Sequence, residues 1–86
     1  MKIKLEKSAI KYLKGLQKPQ RDLILSAIEK LTHHPAEGDI KPMSGYKDGR
    51  YRLLVGKYRV IYKYINESDI EILNVMDIGS RGDIYK

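Results

Sequence analysis

One stretch constrains the fold more than any other: Gly49–Ile65, reading GRYRLLVGKYRVIYKYI. Two runs rich in Tyr, Val, Leu and Ile flank Gly56-Lys57. A two-residue loop that begins with glycine suits a type II′ turn, because that turn needs positive φ at its first central residue. The pattern predicts a β-hairpin with Val55 opposite Tyr58, Leu54 opposite Arg59 and Arg52 opposite Ile61. Side chains alternate along a strand, so Arg52, Leu54, Arg59, Ile61 and Lys63 share one face. Tyr51, Leu53, Val55, Tyr58, Val60, Tyr62 and Tyr64 share the other, which is apolar or aromatic throughout. No acidic residue falls between Gly49 and Asn66, so the cations of the first face are expected to lack local partners. Like charges held close together oppose one another by roughly a few tenths of a kcal/mol or more. Two readings of the cationic face follow. It is a solvated outer surface whose arginines pair with carboxylates elsewhere, or it is an anion site. Phosphate is the natural anion, since Arg offers a planar fork of donors that stays charged.

Ahead of the hairpin, Lys2–Glu6 alternates polar and apolar residues and reads as a short strand. Ser8 is placed to cap a helix over Ala9–Leu16. Ile10, Leu13 and Leu16 form its buried side with Ala9 and Tyr12. Lys7, Lys11, Lys14 and Lys18 recur at helical spacing as a basic stripe, either a solvated surface or one that tracks phosphates. Lys18-Pro19 breaks the chain, and Pro19 opens a second helix that runs to His33. Its apolar stripe is Leu23, Ile24, Ala27, Ile28 and Leu31, with Leu25 off it. His33 and His34 at its end read as imidazoles interacting with the helix dipole rather than as metal ligands. Pro35–Ser44 reads as a loop. Beyond the hairpin, Asn66-Glu67-Ser68 predicts a turn. Asp69–Ile78 reads as a central strand, with Ile70, Ile72, Asn74, Met76 and Ile78 on one side. The predicted order is β-α-α-β-β-β: an α+β fold in which a helical hairpin packs on one face of a small, mainly antiparallel sheet. The face bearing Arg52 and Arg59 is left open.

Composition narrows the function. Eighty-six residues predict a single domain, residues 1–86. The net charge of +6 favours a polyanionic partner such as nucleic acid or the ribosome. There is no cysteine, hence neither a disulfide framework nor a thiolate metal site. No metal or cofactor is expected. No run of about 18 apolar residues suggests a membrane span, and the lysine-rich start does not read as a secretory signal. A cytoplasmic protein with no membrane partner is expected.

The blocks GRYRLLVGKYRVIY at Gly49–Tyr62 and IGSRGDIY at Ile78–Tyr85 carry a resemblance. With the predicted element order, they make the chain similar to the RelE/ParE superfamily of bacterial and archaeal toxins, from Lys2 to Tyr85. The resemblance implies the RelE/ParE toxin fold and, in the RelE branch, ribosome-dependent cleavage of mRNA in the A site. It places Arg52 at the first basic position of the second strand and Arg59 at the arginine of the family motif. It places Arg81 after the last strand, with Tyr85 close behind. These four are the implied catalytic residues. Where the RelE pattern has a second basic residue, this chain has Leu54. Lys7, Lys11, Lys14, Lys18, Arg50 and Lys57 complete the expected RNA-binding surface. The resemblance also implies a cognate RelB-like antitoxin from an adjacent gene, the ribosome and mRNA as partners, and operator DNA bound through the antitoxin. In the ParE branch, the same fold inhibits DNA gyrase without cutting RNA.

Overall fold

The hairpin forms in the register that its residues dictate. A computed structural model describes residues 1–80. In it, β1 is Lys2–Leu5, α1 Lys7–Lys14 and α2 Lys18–Glu29, which ends in a 3-10 turn over Lys30–Thr32. The strands β2 (Asp39–Pro42), β3 (Tyr51–Val55), β4 (Tyr58–Glu67) and β5 (Ile70–Ser80) follow. Val55 lies opposite Tyr58, Leu54 opposite Arg59 and Arg52 opposite Ile61. Gly56 takes φ +57 and Lys57 does not, as a type II′ turn requires. The next hairpin turns at Ser68-Asp69, both at positive φ, the signature of a type I′ turn. The turn therefore sits later than expected, and Asn66 and Glu67 continue β4.

The sheet order is β1-β5-β4-β3-β2, with β1 parallel to β5 and every other pair antiparallel. Two helices pack on one face of this five-stranded mixed sheet. The predicted order lacked one strand. Asp39–Pro42 was read within a loop because of its prolines and glycine, yet it pairs with β3 at the sheet edge. Pro42 is tolerated there because it ends an edge strand, where no inner ladder needs its missing N–H. Gly38, just before β2, adopts φ +141 with its backbone against Leu53.

The second correction is a β-bulge. Ile61 pairs with Asp77, but Tyr62 pairs with Val75, so Met76 is the extra residue. The bulge resets alternation along β5. Ile78 joins Leu73 and Val75 in the main core, while Met76 and Asp77 both lie toward the open face. The expected single row from Ile70 to Ile78 is thus cut in two. Strict alternation fails because two residues of one strand oppose one of its partner.

The core lies between helices and sheet, built from Leu13, Ile24, Ile28, Leu31, Leu53, Val60, Tyr62, Leu73 and Val75. Tyr51 stacks on Tyr62 at 5.6 Å, and Tyr64 meets the Tyr62 ring edge-on at 5.7 Å. The four hairpin tyrosines therefore pack on the helical side, as alternation predicted. Ile61 and Ile72 are also buried but outside this core, on the opposite face.

The helices start and stop earlier than read. α1 begins at Lys7 with Glu6 at the cap position and no side-chain cap. The Ser8 hydroxyl donates instead to the Met76 carbonyl at 2.8 Å, tying the helix to the bulge. Ile10 and Leu23, assigned to buried stripes, are 38% and 52% exposed. Each lies at the rim of a helix that covers the sheet along a narrower line than its full apolar arc.

Candidate functional site

Alternation along β3 and β4 puts the candidate residues Arg52 and Arg59 on the open face of the sheet. Lys41, Arg52, Ile61 and Asp77 form one row across β2 to β5. Asp39, Leu54, Arg59 and Gly79 form the next. Arg52 and Arg59 are therefore diagonal neighbours on adjacent strands, with backbones roughly 7–8 Å apart. A backbone separation of this size is one that two long side chains can span from opposite sides of an anion.

The cations of this face do have local carboxylates, contrary to expectation. Arg52 donates from Nη1 to the Asp39 carbonyl at 3.1 Å and to Asp39 Oδ1 at 3.4 Å. Its side chain is only 11% exposed. Arg50 grips Asp48 with Nε and Nη2 at distances from 2.7 to 3.2 Å. Lys63 Nζ approaches the same carboxylate at 3.5 Å. Hydrogen bonds from Arg50 hold the Asp48 carboxyl well below the usual range. The same bond raises the Arg50 guanidinium further. Asp39 escaped notice because it sits on the unanticipated β2, and Asp48 because it precedes the stretch by one residue. The solvated-surface reading thus holds in part for Arg50, Arg52 and Lys63. Arg59, a member of the second row, is half-buried.

A pocket of about 260 Å³ opens beside Arg50. Ile61 and Met43 line it on the apolar side, Met76 and Asp77 come from the bulge, and Glu6 comes from the end of β1. Tyr46 closes it, with the Arg50 guanidinium 4.1 Å above its ring. Tyr46, Glu6 and Asp77 were not singled out from sequence. The only available signal was the sequence Tyr46-Lys47-Asp48-Gly49-Arg50, in which a glycine bend lets aromatic, acid and guanidinium meet.

The other expected residues fall elsewhere. Lys7, Lys11 and Lys14 are exposed on α1, in the helical layer across the sheet from the arginines. Lys11 also lines a hollow of about 440 Å³ between α1 and the end of β5. Lys18 opens α2 and pairs with Asp22 at 2.7 Å. Lys57 sits in the hairpin turn, 5.6 Å from the Tyr58 ring centre. Arg81 and Tyr85 lie outside the described residues. His33 pairs with Glu37, whose carboxyl that contact lowers.

Tyr62 and Tyr64 lie on the helical side of the sheet and do not supply a base to the open face. Burial pushes the Tyr62 and Tyr64 phenols up, the wrong direction for accepting a proton near neutrality. Among the described residues, no three His, Cys, Asp or Glu side chains gather as a metal site requires. No helix of the described residues is long and apolar enough to cross a membrane.

Residues 3–85 match the family model described as the ParE toxin of type II toxin–antitoxin system, parDE. The chain is similar to the archaeal RelE–RelB complex from Pyrococcus horikoshii OT3, at 28% identity over 95% of this chain and 96% of that one, with a TM-score of 0.74. It is also similar to the RelB–RelE antitoxin–toxin complex from Methanococcus jannaschii, at 27% identity over 95% and 94% of the two chains, with a TM-score of 0.68. The YoeB/ParE toxin from Agrobacterium tumefaciens shares the fold, with a TM-score of 0.70 over 94% and 99% of the two chains at 17% identity. None of the curated proteins matches the chain.

Proposed function

This chain belongs to the ParE toxin family of type II toxin–antitoxin systems; from the arginines of its open face and its likeness to solved RelE–RelB complexes we propose that it is an endoribonuclease that cuts mRNA in the ribosomal A site. The observation that carries this reading is the diagonal pair Arg52 and Arg59 on the open sheet face, with Arg50 beside it. Two arginines carried as diagonal neighbours on paired strands suit a scissile phosphate.

RNA cleavage needs no metal when the neighbouring ribose 2′-OH attacks phosphorus and the 5′ oxygen leaves. The enzyme must hold the hydroxyl in line, take its proton and stabilise the added charge. Arg52 and Arg59 take the charge, each donor contributing roughly 2–4 kcal/mol. In this reading Arg81 joins them in stabilising the charge, and Tyr85 takes the proton. Tyr62 and Tyr64 pack on the opposite, helical side of the sheet and are not rivals for that task. The weak acid–base equipment fits an enzyme that depends on the ribosome to orient its substrate.

Relatives solved as RelE–RelB complexes support a RelB-like antitoxin as the partner of this chain. In this reading the antitoxin is acidic, complements the +6 charge and carries the operator-DNA contact. The toxin acts in the cytoplasm as a single domain. A second reading, inhibition of DNA gyrase without RNA cleavage, is favoured by the ParE description of the matching family model. Primer extension on an mRNA in a translating extract tests the choice, with the native chain beside Arg59→Gln and Arg81→Ala. Codon-phased ends that need ribosomes and vanish in the variants are expected. Intact mRNA with uninhibited translation overturns the nuclease reading, and supercoiling by purified gyrase then tests the second.

A further inference from the structure

The pocket beside Arg50 differs in character from the arginine pair. Its floor is apolar, from Ile61 and Met76, and the bulge at Met76 turns Asp77 toward it as well. Tyr46 is 51% exposed, and with Arg50 at 4.1 Å over its ring it forms a flat wall. Two carboxylates line the same pocket, Glu6 and Asp77, and Asp77 also borders the hollow beside Lys11. Glu6 Oε2 accepts from Asn74 Nδ2 at 2.8 Å, and Asp77 Oδ1 accepts from the Ile78 N–H at 3.0 Å. Each thereby keeps an oxygen for a guest, and among the described residues neither forms an ion pair. Arg50 spends Nε and Nη2 on Asp48, which leaves its Nη1 edge without a bond among the described residues.

These features exclude two guests. A phosphate would face both carboxylates. A basic side chain would lie against a guanidinium that Asp48 fixes in place. A neutral flat ring with donors on one edge and acceptors on another meets neither obstacle. Nucleobases stack on aromatic rings and guanidinium planes and are read along their edges. Carboxylates accept from exocyclic amines, as in the pairing of Glu or Asp with cytosine N4. Uracil presents a carbonyl oxygen where cytosine presents that amine.

We propose that this pocket receives one nucleobase of the RNA and favours bases carrying an exocyclic amine over uracil. Glu6 and Asp77 accept from the amine, Arg50 donates to a ring acceptor, and Tyr46 flanks the ring. The inference rests on the RNA-cleaving reading, and its test separates the two. Fluorescence anisotropy compares 2′-O-methylated pentamers of cytidine and of uridine bound to the full chain. Both carry the same phosphates, which position without specifying sequence, and neither has a free 2′-OH, so binding is read without cleavage. The cytidine pentamer is expected to bind about tenfold tighter, the discrimination of one charge-assisted hydrogen bond. In Asp77→Asn the ratio falls to less than threefold. The introduced amide keeps an oxygen for the Ile78 N–H while offering uracil a donor, so the variant retains its fold. Tyr46→Ala weakens both pentamers. Equal affinity of the native chain for both, or a preference untouched by Asp77→Asn, overturns the proposal. So does displacement of the cytidine pentamer by millimolar N-acetylarginine amide but not by cytidine. A native chain that shows the preference yet cuts no mRNA refutes the nuclease reading and leaves the pocket standing. One that cuts mRNA with equal pentamer affinities refutes the pocket alone.

Discussion

If Arg52 and Arg59 hold one phosphate between them, their contributions to RNA binding are not independent. The perturbation is Arg52→Gln, Arg59→Gln and the double variant. Glutamine keeps a donor for the Asp39 carbonyl that Arg52 now engages at 3.1 Å, which protects the edge strand. The two residues are diagonal neighbours on paired strands, roughly 7–8 Å apart at the backbone and within reach of one phosphate. A hydrogen bond to a charged group contributes about 1.5–3 kcal/mol, so each single variant should weaken binding roughly 10- to 150-fold. Separate phosphates would make the losses multiply. A shared phosphate produces a coupling energy of about 0.5–3 kcal/mol, and the double variant loses less than the product. Salt dependence gives a second reading, since each neutralised phosphate of a single strand contributes about 0.7 to the slope of log K against log salt. The double variant should lose about 0.7 of that slope if the phosphate is shared and about 1.4 if it is not. Anisotropy with a 2′-O-methylated RNA pentamer from about 50 to 200 mM salt measures both. Losses additive within about 0.5 kcal/mol, with a slope drop near 1.4, would refute convergence on one phosphate.

Three further outcomes test the scaffold. Gly38→Ala combines φ +141 with an added Cβ 2.6 Å from Leu53 Cδ1, so it should cost roughly 1–3 kcal/mol and lower the melting temperature by at least about 4 °C. An unchanged melt would show that β2 is not packed on β3 as described. Tyr64→Phe removes the hydroxyl that donates to the Leu31 carbonyl at 2.7 Å, a loss of about 1–2 kcal/mol in denaturant titration. Asp48 ionises in the folded state well below its unfolded value near 3.9, so its contribution to stability is fully present above about pH 4 to 5 and is lost as pH falls further. Thermal melts from about pH 2 to 6 should therefore show a shallower acid limb in Asp48→Asn than in the native chain, and identical limbs would show that Arg50 does not hold this carboxylate in solution.

The hairpin was legible because local chemistry alone specifies it. Gly56 supplies the turn's positive φ, and the alternation of Tyr, Leu and Val against Arg fixes which face is buried. The strand β2 was not legible, since four residues ending in proline at a sheet edge carry almost no pattern of their own and pair only because β3 is there. The bulge at Met76 is a tertiary event. Asp69–Ile78 carries apolar residues on both sides of the strand, so its pattern marks no bulge, and only the meeting of β5 with Tyr62 and with Ser8 shows where an extra residue must be absorbed. The arginine pair was found by the same alternation that found the hairpin. Its carboxylate partners were missed because Asp39 reaches Arg52 across an unrecognised strand. Tyr46 and Asp48 reach Arg50 through a bend that no periodicity announces. Leu23 and Ile10 show the limit of helical periodicity: it identifies an apolar arc but not how much of that arc the sheet is wide enough to cover.

The parallel pairing of Lys2–Leu5 with Ile72–Val75 fixes the order in which the molecule can be completed. The strands β3 to β5 join neighbours through two-residue turns and close cheaply, whereas β1 must wait for a partner encoded much later in the sequence. At a synthesis rate of roughly 5–20 residues per second, the first strand and both helices exist for several seconds before β5 emerges. During that interval Ala9 and Leu13 of α1 have no strand to cover, and Met76 and Asp77 have not been made. The pocket wall and the parallel pairing of the sheet therefore arrive together, with β5, in one closing step.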